Sequence, residues 1–484
     1  MRALKHLLLL LTIAVPLSAA DVPLIEMQSF STGCGLMAMD LDGDGLDEII
    51  DGRTMYVSRG GAIAPMRVHV SPDVDLAVAA ADFNNDRISD LLLPNGVVAI
   101  GDGTGEFLET ALTAPGALQA ADFNGDRRID VATYDERGIH LFYGRGDGTF
   151  TAGATLPWPG DGIELRSGGP LAVADFNNDG LLDIAASNRP RLLLYFANAD
   201  GSYRMVSHLT PRGVKPPLAA DLNGDGNADL FCPGAGSDGA VMVLYGDGTG
   251  RFPLVRSMIL APSGTRFSDL TVPYSYALAP VLPGGRTGIV VGAHNGAVLL
   301  LDGAGGELRE VSRVYPQPWT AVVIRTGHFR SRNEIDIAAA GHIAADVRLA
   351  YLHAGAAMSN SSSGSTGRVR AVRRGTPAAA PRLEFPPIVT TQYDAFMVLG
   401  CSGTASGRWT ATREGIFVDI VDSTGRAVDG AMDGDTLVIH TTIDERFHDV
   451  EARLRPDARG FSGMLYLPAR GAEGCGDPWV TLTR

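Results

Sequence analysis

Apolar residues fall in short bursts along this chain, such as Leu76–Ala81, Val97–Ile100 and Ala240–Tyr245, each bounded by Gly or Asp. Bursts of that length between turn-forming residues predict short antiparallel strands rather than helices. Only Leu7–Val15 departs from the pattern. It follows Arg2 and Lys5 and precedes the small residues Ser18, Ala19 and Ala20, so residues 1–20 are expected to be a secretory signal peptide cleaved after Ala20. That run is too short to span a bilayer comfortably, and no later run could span one.

The polar intervals repeat. They read DLDGDGLDE at Asp40–Glu48, DFNNDRISD at Asp82–Asp90, DFNGDRRID at Asp122–Asp130, DFNNDGLLD at Asp175–Asp183 and DLNGDGNAD at Asp221–Asp229. Side-chain oxygens stand at positions 1, 3, 5 and 9, and position 7 can offer a backbone carbonyl, which is calcium-loop spacing. The candidate ligands are Asp40, Asp42, Asp44, Leu46 and Glu48; Asp82, Asn84, Asp86, Ile88 and Asp90; Asp122, Asn124, Asp126, Arg128 and Asp130; Asp175, Asn177, Asp179, Leu181 and Asp183; and Asp221, Asn223, Asp225, Asn227 and Asp229. Ordinary Asn/Asp turns need no oxygen at position 9, and an EF-hand needs flanking helices and Glu at position 12. Position 6 favours Gly for the sharp turn, so Arg87 and Arg127 are expected to bend their loops differently or weaken binding.

A Gly-Asp-Gly element follows four of the loops, as in Gly101–Phe107, Gly146–Phe150 and Gly246–Phe252, and as Ala199–Tyr203 in looser form. Each repeat therefore reads as strand, acidic loop, strand, strand, Gly-rich turn, strand: one four-stranded propeller blade. Two further units, at Pro280–Gly288 and His328–Asp336, keep the frame but lack the ligand set. Unit starts at 40, 82, 122, 175, 221, 280 and 328 give blade-sized intervals.

On these motifs the chain resembles the FG-GAP/VCBS repeat family, which includes the N-terminal propeller of integrin α subunits. The resemblance covers about 22–357. It implies an all-β fold, a seven-bladed β-propeller with calcium held between the first two strands of a blade, and partners bound mainly at the opposite face. About five structural Ca2+ sites are expected, with none at the two degenerate loops.

Composition changes the picture in two ways. The 484 residues carry 40 basic and 55 acidic side chains, a formal charge of −15. Seventeen of the acids lie in the five loops, five in the first and three in each of the others, so the acidity is chiefly cation-binding capacity. No basic patch interleaved with aromatics argues for nucleic acid. Among four cysteines, Cys401 and Cys475 share the C-terminal segment and are expected to pair, while Cys34 and Cys232 fall in different repeats.

The domain expectation is a signal peptide at 1–20, the propeller at 21–357, a Ser/Gly then Ala/Pro/Arg linker at 358–381, and a small β-barrel or sandwich at 382–484. Aromatic residues in the long inter-blade segments are the candidate partner surface: Trp158, Phe267, Tyr274, Tyr276, Tyr315 and Trp319. Arg145-Gly146-Asp147 belongs to a blade hairpin rather than an adhesion tripeptide. No GxSxG, HExxH or CxxC motif appears, and no catalytic residue is assigned. The leading expectation is a secreted, non-catalytic binding module for an extracellular protein or glycan. A polysaccharide lyase or hydrolase on the same scaffold, and a structural cell-surface repeat protein, are the alternatives.

Overall fold

The computed structural model describes residues 36–354 and 388–484 with internal gaps, together with 17–19 and 25–26. The fold is all-β: no α-helix occurs among the described residues. One five-stranded and six four-stranded sheets precede a closed barrel of eight strands.

Each four-stranded sheet is an antiparallel meander in chain order. In the third, strands Ala117–Ala121, Asp130–Asp135, Gly138–Gly144 and Phe150–Pro157 follow one another. The acidic loop joins the first strand to the second and the Gly-Asp-Gly turn joins the third to the fourth, so both lie at one end of the sheet. The second and third strands carry the core: every residue of Asp229–Pro233 and Ala240–Tyr245 is buried. Both faces of such strands are covered, which is why they read as continuous apolar runs. The first strands of the second and third, fourth and fifth, fifth and sixth, and sixth and last sheets lie side by side in a propeller arrangement, and Thr320–Gly327 of the last sheet lies beside Leu36–Met39 of the first.

The last sheet supplies only three strands from its own repeat, Thr320–Gly327, Asp336–Ile343 and Asp346–Ala354. Its outer edge is taken by N-terminal residues: Leu17–Ala19 pair with Leu352–Ala354, and Ile25–Glu26 with Arg348–Leu349.

Phenylalanines join the sheets. Phe83, at position 2 of the second loop, meets Phe150 of the next sheet edge to face, with centroids 5.8 Å apart. Phe176 of the fourth loop meets Phe252 of the fifth sheet in the same way at 5.6 Å. The backbone follows them, with Gly148 N–H donating to Phe83 O and Gly250 N–H to Phe176 O.

The C-terminal segment is a barrel rather than a sandwich: eight strands from Val389–Val398 to Trp479–Thr483 close on themselves. Its interior is filled by Tyr393, Trp409, Ile420, Leu437, Leu454 and their neighbours, as expected of a barrel this small. Cys34, Cys401 and Cys475 lie outside the described residues, as do residues 1–16 of the expected leader and the linker 358–381. Cys232 is free and fully buried.

Candidate functional site

Each intact loop is wound by its own side chains. In the second, the Asp82 carboxylate accepts the N–H of Asp86 at 3.1 Å and of Arg87 at 2.8 Å. Asn84 Oδ1 accepts Asp86 N–H, and Asp86 Oδ1 accepts Ile88 N–H. The third, fourth and fifth loops repeat this network around Asp122, Asp175 and Asp221. Position 6 is left-handed throughout, and Arg87 (φ 72°) and Arg127 (φ 66°) adopt the same bend as Gly180 (φ 89°). The expectation that those two loops bend differently is therefore corrected: the Asx hydrogen bonds impose one bend, and the arginines bear its steric cost.

Position 9 has a separate task. Asp90 is fully buried and accepts Phe83 N–H and Gly101 N–H, each at 2.8 Å. Asp130, Asp183 and Asp229 do the same with Phe123 and Gly144, Phe176 and Ala197, and Leu222 and Gly246. One carboxylate thus ties the acidic loop to the third strand. Burial, with added repulsion from the acids at positions 1 and 5, pushes the Asp90, Asp130 and Asp183 carboxyls up to about 6 and that of Asp229 up to about 7.

The first loop brings its oxygens together most closely. Ligating atoms of Asp40, Asp42 and Glu48 lie within 4.8 Å of one another, the one such trio among the described residues. Leu41 N–H satisfies Glu48 Oε2, while Asp40 Oδ1 and Glu48 Oε1 are buried without a hydrogen-bond partner. Burial, then Asp42, Asp44 and Asp40, push the Glu48 carboxyl up to about 7. Orphaned buried carboxylate oxygens converging on one point fit a hard divalent cation such as calcium.

The two degenerate units are built differently. The sixth has no nine-residue loop: Pro283–Gly285 form a single tight turn between Leu282 and Arg286. Gly288 stands at position 9, and because Ile289 pairs with Leu301, Asp302 faces it from the third strand. Asp302 is 2 % exposed and holds Arg286 at 2.8 Å and Arg309 at 2.8 Å. Burial would raise its carboxyl, but the two guanidiniums win and hold it below its ordinary value. In the seventh unit Asp336 remains buried, His328 N–H donates to Asp47 Oδ2, and the Arg332 side chain lies against Gly45 of the first loop.

At the opposite end of the third sheet, Trp158 Nε1–H donates to Asp135 O at 2.9 Å, and its ring packs against the core of that sheet. His140 sits between Asp135 Oδ1 at 2.7 Å and Thr155 Oγ1 at 3.2 Å. Tyr276, another candidate partner residue, is committed internally: its ring meets Phe231 edge to face and its hydroxyl donates to Pro216 O. Phe267, Tyr315 and Trp319, and the Tyr274 side chain, lie outside the described residues.

The exposed rings are elsewhere, on the barrel. Phe396, Met464, Tyr466 and Trp479 are 40–51 % exposed. Met464 pairs directly with Trp479, while Phe396 pairs with Thr481, two residues further along the same face. Tyr466, Trp479 and Phe396 therefore form a diagonal across three adjacent strands, with neighbours ~7–8 Å apart at the backbone. The sequence signal was the outward phase of each strand, readable only once the inward set was known.

Residues 122–186 and 175–232 match the FG-GAP-like repeat. Cartilage acidic protein 1 is similar over 147 residues, at 29% identity for Mus musculus and 27% for Homo sapiens, covering 29% of this chain and 22% of each relative. The chain thus spans less than a quarter of the length of these curated relatives. Among solved structures, an Agrocybe aegerita lectin, described for specific recognition of non-reducing terminal N-acetylglucosamine, aligns with TM-score 0.43 and 20% identity over 57% of this chain and 79% of the lectin. BBS1N in complex with ARL6DN aligns with TM-score 0.48 and 14% identity over 70% of this chain and 97% of its own. No described helix is long and apolar enough to cross a membrane.

Proposed function

From a chain that carries FG-GAP-like repeats, we propose an exported, calcium-stabilised propeller of seven blades, acting as a non-catalytic recognition module for an extracellular protein or glycan. Closure of the ring is supported by the neighbouring first strands of the first and last sheets and by the paired Asp47 and His328 backbones. Cleavage after Ala20 would remove Leu17–Ala19 from the last blade and leave Ile25–Glu26 as its edge. Calcium is the group that the first-loop carboxylates call for; it cancels their mutual repulsion and adds its binding energy to folding.

The observation that carries the recognition reading is the barrel diagonal of Tyr466, Trp479 and Phe396. The described candidates Trp158 and Tyr276 donate their polar hydrogens to backbone carbonyls of the propeller, whereas these rings stand in solvent on a rigid wall. Aromatic side chains so placed give contact area at low entropic cost. The test is the mature chain on arrays of glycans and of secreted proteins. Trp479→Ala is expected to weaken the recognised ligand at least ~10-fold, the scale of an interface hot spot. Binding that survives Trp479→Ala and Tyr466→Ala unchanged would overturn the choice of surface.

A further inference from the structure

The barrel is packed onto the flank of the fourth and fifth sheets. Phe417 is buried in one cluster with Phe176, Leu192, Leu194 and Phe252 of the propeller. Leu209 is buried against Ala431 and Val438. A Cβ at Gly415 would stand 2.6 Å from Pro253 O. Arg191 pairs with Asp429 across the seam, its side chain 12% exposed, and Arg251 reaches Glu414 at 3.8 Å on the rim.

His208 lies inside this seam. Its ring stacks on Phe417 with centroids 4.2 Å apart and planes 23° from parallel. Its Nδ1 is buried without a hydrogen-bond partner. We propose that His208 makes the seam a proton-sensitive latch: neutral, it holds the barrel on the propeller; protonated, it releases the barrel and uncovers the apolar flank around Val206, Leu209 and Phe252.

The surrounding charges do not accommodate an imidazolium. On the propeller side stand Arg191, already paired with Asp429, and Arg204, whose guanidinium lies over Phe196. On the barrel side stand Asp429 and Asp419, the latter pushed up by burial and by Asp429, with Glu414 at the rim. None of them moves His208, whose pKa is lowered to about 4 by burial alone. Stacking on Phe417 would favour the cation, but that attraction is smaller than the cost of burying an unpaired charge. An imidazole of pKa 6.5 when undocked and about 4 when docked weakens docking ~20-fold between pH 7 and pH 5.

Hydrogen exchange on the full mature chain in saturating calcium, corrected for the intrinsic pH dependence, tests this. Protection of Tyr203–Leu209 and Phe417–Asp422 is expected to fall ~20-fold from pH 7 to pH 5, while Asp130–Asp135 keeps its protection. His208→Phe preserves the stack without the titration and is expected to hold protection at pH 5. His208→Gln, also neutral throughout, is expected to flatten the pH response even if docking is weaker at both values. Unchanged wild-type protection at pH 5 overturns the latch. So does an equal pH response in either His208 variant, or a response abolished by Asp419→Asn.

Discussion

Proton release on the proposed calcium binding is the sharpest consequence of the loop geometry. Folding raises the position 9 carboxyls, to about 6 for Asp183 and about 7 for Glu48. A group raised this way favours the fold while neutral. Without calcium, the contribution of Asp183 is therefore present below its ordinary 3.8 and is lost as pH climbs through about 6. The loss is about 3 kcal/mol per loop of this kind. Calcium needs the ionised form, so it must displace the proton. A carboxyl at about 6 is mostly ionised at pH 7 and one-tenth ionised at pH 5, so affinity should fall ~10-fold for that loop. For Glu48 and Asp229, at about 7, the fall should be ~50-fold. His208 titrates in the opposite sense, so melting temperatures mix two effects. Calcium calorimetry in buffers of different ionisation enthalpy isolates the loops. Heats at pH 6 should depend on the buffer, and Asp183→Asn should remove one site's share. Affinity independent of pH between 5 and 7.5, or no calcium heat at all, refutes the reasoning.

Four further outcomes are expected. Arg87→Gly and Arg127→Gly relieve a left-handed non-glycine residue, and each should raise calcium-free stability in urea by up to ~1 kcal/mol, the steric cost less the added chain entropy. Arg286→Ala leaves Arg309 and the Ala304 N–H on buried Asp302; stability should fall by about 1–2 kcal/mol, below the full cost of breaking a buried pair because both guanidiniums are partly exposed. The Asp302 pKa, followed by NMR, should rise in the same variant. Phe252→Ala removes a 1% exposed ring from the Phe176 contact and should cost about 3–5 kcal/mol on denaturant unfolding.

The repeat, the blade unit and the acidic loops were legible because their chemistry is local. Asp and Asn within nine residues of chain wind the turn, and turn-bounded apolar bursts mark strands. The spacing of the sixth unit predicts a loop across Pro280–Gly288, yet three residues suffice there. Its carboxylate had moved to the facing strand, where no linear motif could show it. Trp158 and Tyr276 are candidates in the sequence because they border long connections; what occupies an indole N–H or a phenol is a tertiary fact. The exposed barrel rings escaped for the converse reason. In a strand, inward and outward apolar residues look alike until register assigns their faces.

The direction of the buried carboxyls' pKa gives the argument for metal an internal control. Asp302 is 2% exposed, hardly more than Asp90 or Asp229, and all three close a blade at the same end. Asp302 is held low because Arg286 and Arg309 supply positive charge from within the chain. Asp90, Asp130, Asp183, Asp229 and Glu48 are held high because burial and neighbouring carboxylates meet no such charge. One structural need, a buried carboxylate tying a sheet end together, is thus met in the sixth unit with its countercharge built in. Where the acidic loop is kept, no such countercharge bears on the buried carboxyl among the described residues. The intact loops are therefore the places where an external cation has most to contribute, and the sixth sheet is the place where chelation should change least.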